Sequence, residues 1–229
     1  MRVRFRVATL TVAALSGLGA VAGCGSSSSG NDVSSKSPDA IATASTDAIH
    51  GVKSVHVSGE TVTGGSPTKF DLTLVSGKGG HGEMSQNGLS FQIVSLGGNV
   101  YINGSDTFWR HFGGQAAVQL FHGKWLKAPA SGQLASISSL TNLQELFGKL
   151  LTEHGTLAKG AITTVNGHKV IAVNDTTKGG TLYVATTGKP YPIEVQKKGS
   201  EGGRIVFDHY NEPVSLSAPA NAVDLSQLH

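Results

Sequence analysis

Short runs of period-two alternation, separated by glycine-rich turns, constrain this chain more than any other feature. Val55 and Val57 alternate with His56 and Ser58, and Phe70, Leu72 and Leu74 alternate with Asp71 and Thr73. Gly80 to Gln86 is a weaker run around Met84; Leu89, Phe91 and Ile93 form another, and Val100 and Ile102 flank Tyr101. The links are turn chemistry: Gly64-Gly65-Ser66-Pro67, Gly77-Lys78-Gly79-Gly80, Asn87-Gly88 and Gly97-Gly98-Asn99. Side chains of a strand alternate between faces, so such runs joined by tight turns predict an antiparallel meander. The pattern returns after residue 160. Ala161–Val165 and Lys169–Val173 flank Asn166-Gly167, and Thr181–Ala185, Tyr191–Lys197, Gly203–His209 and a short Val214–Ser217 run follow.

Helical spacing appears in two other places. Ser37-Pro38-Asp39 supplies an N-cap, a first-turn proline and a first-turn acid, and Ile41, Ala44, Ala48, Ile49 and Val52 follow on one face. A helix is predicted near 38–52. Between the two sheet blocks, Ser105-Asp106 can cap a short helix, Gln115–Phe121 can add another, and 134–151 carries a broad leucine stripe. Helix, strands, helical insertion, strands is an α+β order, not alternating βαβ. A sheet of about ten antiparallel strands must curl. The prediction is a strongly curved antiparallel half-barrel with helices covering its concave face.

The N-terminus sets the compartment. Arg2, Arg4 and Arg6 precede an apolar stretch from Val7 to Gly23, then Val21-Ala22-Gly23-Cys24 and a Gly/Ser tract. Seventeen glycine-interrupted residues are short for a spanning helix, which needs about 20. A basic start, an apolar segment and small residues at the cut describe a signal peptide. The thiol at the cut resembles the bacterial lipobox, whose cysteine takes a diacylglyceryl group and becomes the new N-terminus. The expected layout is a signal peptide at 1–23, a lipidated flexible tether at 24–37 and one domain at 38–229. Removing the three arginines from 18 Lys+Arg leaves 15, against 15 Asp+Glu. A neutral domain has no electrostatic footprint for nucleic acid. Cys24 is the only cysteine, so no internal disulfide can form.

Residues of catalytic type form no constellation in the sequence. Nine histidines are scattered without a His-x-x-x-His pair, and no metal site is expected. No Gly-x-Ser-x-Gly elbow occurs, Gly188-Lys189 runs into Pro190, and the acids stand singly in turns. No catalytic residue and no cofactor is expected; the chain reads as a non-enzyme. Trp109 and Trp125 could stack on sugars or fill core.

Several stretches resemble actinobacterial lipoproteins of the LppX/LprA/LprF/LprG type. They are the lipobox and its tether, the capped helix leading into Val52–Val57, Gly123-Lys124-Trp125-Leu126, Thr186–Ile193 and Phe207–Val214. The wider fold group is that of the LolA/LolB lipoprotein carriers. The resemblance implies a half-barrel enclosing an apolar cavity for acyl chains of a lipid or glycolipid. It also implies anchorage on the outer side of the cell membrane and an envelope transporter as partner. The expected lining is Phe70, Leu72, Leu74, Phe91, Ile93, Leu182, Val184, Ile193, Ile205 and Phe207 from strands, with Trp109, Phe112, Leu143 and Phe147 from helices. The alternative is a structural, sensor or interaction lipoprotein in which the same residues are ordinary filled core.

Overall fold

The computed structural model describes residues 30–131 and 135–227, and for 135–137 the backbone only. The signal peptide and Cys24 lie outside the described residues.

A single open sheet of twelve strands dominates. The first five form the predicted meander: β1 Ser54–Thr63, β2 Ser66–Val75, β3 Gly79–Gln86, β4 Leu89–Leu96 and β5 Asn99–Gly104. Their turns use the residues that tolerate positive φ, among them Asn87 (φ 52°) and Gly88 (φ 78°). β6 Leu126–Pro129 pairs with β5. β7 Leu157–Val165, β8 His168–Asp175, β9 Thr181–Ala185, β10 Pro192–Lys197 and β11 Gly203–Asp208 form the second block. β11 then pairs antiparallel with β1, which joins the two blocks. The order across the sheet is β12-β6-β5-β4-β3-β2-β1-β11-β10-β9-β8-β7, with β12 Val223–Asp224 parallel to β6. Among the described residues β12 and β7 each pair on one side only, so the sheet does not close into a barrel.

α1 Pro38–His50 is capped as predicted, Ser37 Oγ accepting from the Ala40 N–H. α2 Asp106–Phe121 is broken by Gly113 (φ −147°) and Gly114 (φ +65°). The leucine-striped region is two helices, α3 Ala135–Leu140 and α4 Leu143–Thr152. The break falls at Thr141-Asn142, where Thr141 Oγ1 donates to the Ser138 carbonyl and Asn142 caps α4 through the Glu145 N–H. A side chain bonding the local backbone competes with helix continuation.

Two boundaries differ from expectation. Residues 30–37 are packed against the domain. Asn31 Nδ2 donates to the Ala185 carbonyl, the Asn31 N–H donates to the Thr186 carbonyl, and Val33 is buried beside Ile41 and Ile171. The polar composition concealed a single apolar anchor. Val214–Ser217 joins no ladder. The chain leaving β11 must reach β12 at the far edge, and residues 209–222 cross the sheet as an extended strap instead of pairing within it.

The core lies between sheet and helices. Val55, Val57, Leu72, Leu74, Ile93, Val100 and Phe207 on the sheet pack with Trp109, Leu143, Phe147 and Leu151 on the helices. Burial of such side chains contributes about 1.5–3 kcal/mol each.

Candidate functional site

The two faces of the sheet offer two different chemistries. The inner, helix-covered face receives most of the expected lining. Leu72, Leu74, Ile93, Phe207, Trp109, Leu143 and Phe147 are buried in one cluster. Phe70, Phe91, Leu182 and Ile205 are half-buried at its margin. Val184 is buried in a neighbouring cluster with Val33, Ile41 and Val173 beneath α1.

Two residues are elsewhere. Phe112 is 67% exposed. It ends the first segment of α2, against the Phe108 and His111 rings, immediately before the glycine break. Ile193 packs with Val170 and Ala185 on the outer face, because the β9–β10 register shifts between Pro192 and Glu194. A bulge adds one residue and sends the following side chain to the opposite side.

Aromatic contacts fill the inner face: Phe147 to Phe207 at 4.8 Å and Trp109 to Phe121 at 5.3 Å between ring centroids. A slot of about 140 Å³ opens between α4 and β8–β10, lined by Leu150, Leu151, Leu157, Val173, Leu182 and Val195 among others. Trp109 Nε1 is buried and finds no acceptor among the described residues. A buried donor without a partner costs about 1–3 kcal/mol. The α2 break also leaves Phe112 and Leu120 exposed on either side of Gly113-Gly114.

The outer face mixes polar groups with the apolar patch of Val170, Ala185 and Ile193, and the strap crosses it. At its root, the Asn211 N–H donates to the Ser54 carbonyl, the Lys53 N–H to Asn211 Oδ1, and Ser54 Oγ to the Glu212 carbonyl at 2.6 Å. At its far end the Val223 N–H donates to the Trp125 carbonyl. Between these ends, Ser215–Ser217 bound an open cleft of about 650 Å³ over β2–β4, with Asp71, His81, Glu83, Gln92 and Trp125 in its walls. No sequence signal marked this cleft, because its walls come from three strands, Trp125 and the strap.

A histidine–carboxylate group stands at the strap root. His56 Nδ1 lies 2.6 Å from Asp208 Oδ1, and His56 Nε2 lies 3.0 Å from Asp71 Oδ1. His209 Nδ1 lies 2.9 Å from Glu212 Oε1 and its Nε2 lies 3.8 Å from Asp208 Oδ1. Burial opposes charge on His56, but the hydrogen bonds and fields of Asp71 and Asp208 outweigh it and raise the imidazole above its ordinary value. His56 and His209 are 153 residues apart in sequence, so local spacing could not reveal them; β1–β11 pairing brings them together.

A second buried polar group secures the outer face. Glu194, 4% exposed, pairs with Arg204 Nη2 at 2.7 Å and accepts from Asn166 Nδ2 at 3.2 Å. Tyr191 and Tyr210 stack at 4.2 Å, and Tyr210 donates to the Pro192 carbonyl; burial pushes its hydroxyl well above the usual range.

This architecture defines a class: an open, helix-covered antiparallel sheet. It is the fold of two mycobacterial lipoproteins. LprF from Mycobacterium bovis is 14% identical, with 80% of this chain and 97% of that chain covered at a TM-score of 0.56. The lipoprotein LppX from Mycobacterium tuberculosis is 17% identical, with 79% and 98% covered at a TM-score of 0.52. At these identities the likeness is one of fold. No family model matches the sequence. No curated protein matches it either. No helix among the described residues is long and apolar enough to cross a membrane.

Proposed function

We propose that this chain is a non-enzymatic lipoprotein, anchored to the outer side of the cell membrane through a diacylglyceryl group on Cys24, that binds acyl chains of a lipid or glycolipid against the inner face of its sheet. The observation that carries the proposal is the construction of that face. An apolar sheet surface that never closes into a barrel is covered by four separate helices, with a glycine break in α2 and a capped break between α3 and α4, which can move apart without disturbing the strand ladder. The leucine-lined slot is the place where an acyl chain starts to insert, and each buried methylene stabilises the complex by about 0.8 kcal/mol. The orphan N–H of Trp109 suits an ester or amide carbonyl of the ligand. Exposed Phe112 and Leu120 beside the Gly113-Gly114 break suit contact with the membrane surface during loading. Delivery to an envelope transporter is the natural next step for such a carrier.

Native mass spectrometry of the acylated protein from its own host, with a vesicle-to-vesicle lipid transfer assay, tests the proposal. Co-purifying lipid, lost when Leu182→Trp fills the slot, is the expected result. Absence of both lipid and transfer overturns the carrier role. The anchor is tested separately: Cys24→Ala moves the protein from the membrane fraction to the medium, and its retention in the membrane fraction refutes the anchor.

One observation favours a second reading, a structural or interaction lipoprotein. The inner face is largely filled in this conformation, whereas an open cleft of about 650 Å³ with polar walls lies on the outer face. A lipid-free protein with a host protein bound across β2–β4 is the outcome that selects it.

A further inference from the structure

The geometry points to a divalent transition-metal site, of the zinc class, at the root of the strap, formed by His56 Nδ1, a carboxylate oxygen of Asp208 and His209 Nε2. One ligand atom from each residue lies within 4.8 Å of the others. Tetrahedral zinc with bonds of about 2.0–2.1 Å needs ligand atoms about 3.3 Å apart. Two of the three separations, 2.6 Å from Asp208 to His56 and 3.8 Å from Asp208 to His209, bracket that value.

The outer nitrogens make the stronger argument. Metal-bound histidines almost always donate their other N–H to a carboxylate or carbonyl, which fixes the ring and raises its basicity. Both rings have such a partner. Asp71 holds His56 Nε2 at 3.0 Å, and Glu212 holds His209 Nδ1 at 2.9 Å. With those ends tied, His56 Nδ1 and His209 Nε2 both turn toward Asp208. The rings meet edge-on, with centroids 5.7 Å apart.

Charge points the same way. Asp71, Asp208 and Glu212 gather around two imidazoles, and among the described residues none of the three forms an ion pair with lysine or arginine. Three carboxylates with only histidines as counter-ions favour a divalent cation. The metal takes the place of the proton that joins His56 Nδ1 to Asp208. A cleft of about 230 Å³, bounded by Thr73, Pro213 and Val214, adjoins the group and leaves room for water in the remaining position. The ion ties the strap to β1, so occupancy holds the outer-face cleft in its present shape.

The test uses the purified full chain, without a histidine-containing tag, freed of metal by chelator. Titration with zinc chloride by calorimetry, and with cobalt chloride by visible absorption, reads stoichiometry and geometry. One equivalent of zinc and an intense tetrahedral cobalt spectrum are expected. Asp208→Asn and His209→Asn should each weaken zinc binding at least ~10-fold, and Glu212→Gln about 10–100-fold as expected for an outer partner. Asparagine at 209 accepts the left-handed backbone found there, φ 50°, so that variant folds. His154→Ala, remote from the site, should bind as the parent does. Uptake of less than about a tenth of an equivalent at 50 µM zinc, or equal affinity in parent, Asp208→Asn and His209→Asn, overturns the site.

Discussion

The inner and outer faces of one sheet are built by opposite rules. On the inner face, Leu74, Ile93 and Phe207 are essentially inaccessible and belong to one apolar cluster. On the outer face of the same strands, the neighbours Thr73, Gln92 and Asp208 stand beneath a strap held by hydrogen bonds. Period two produces this split, since each step along a strand changes solvent as well as side. The inner face therefore supplies cohesion, and the outer face supplies polar groups in fixed positions at small cost to stability.

Substitution separates the two faces most sharply. Phe207→Ala removes a ring packed against Phe147 and should destabilise the domain by about 3–5 kcal/mol, read as a lower urea midpoint. Gln92→Ala, on the cleft wall of the outer face, should stay within about 0.5 kcal/mol of the parent. Equal losses from the two would show that the outer face is core as well.

The strap root comes next in size. Ser54 is 3% exposed and its hydroxyl donates to the Glu212 carbonyl. Ser54→Ala should cost about 1–2 kcal/mol and make residues 213–222 more susceptible to proteolysis, while the β1–β2 ladder survives. Unchanged cleavage would mean that the Asn211 bonds alone hold the strap.

The same contrast explains what the sequence made legible. Alternation, Asn-Gly turns and the Ser37-Pro38-Asp39 cap placed ten strands and α1, because each signal is local. The same alternation put Leu72, Leu74, Ile93 and Phe207 on one buried face, and two residues grouped with them lie elsewhere. Ile193 was turned over by a bulge that its own sequence does not announce, and Phe112 was cut off from the core by two glycines that read equally well as a loop. The outer-face groups were hidden for a different reason. His56, Asp71, Asp208 and His209 acquire meaning only once β11 pairs with β1, a contact between segments some 150 residues apart. The strap was misread as a strand because an extended chain looks the same whether or not it pairs.

The smallest effect belongs to the far end of the strap, where charge rather than packing holds it. Asp224 accepts from Lys127 Nζ at 2.8 Å and from Ser226; these bonds lower its pKa from 3.8 to about 2. A carboxylate with a depressed folded-state pKa stabilises above its unfolded value, and that contribution disappears as pH falls through the folded value. The β12–β6 pairing should therefore be intact at pH 5 and loosen between about pH 4 and pH 2, read by faster amide exchange at Val223 and Asp224. Asp224→Asn should show the loosened exchange already at pH 5, whereas the inner-face amides of β2 and β4 remain protected in both. Exchange at β12 that ignores both pH and the substitution would assign the strap's end to the Val223–Trp125 backbone bond instead.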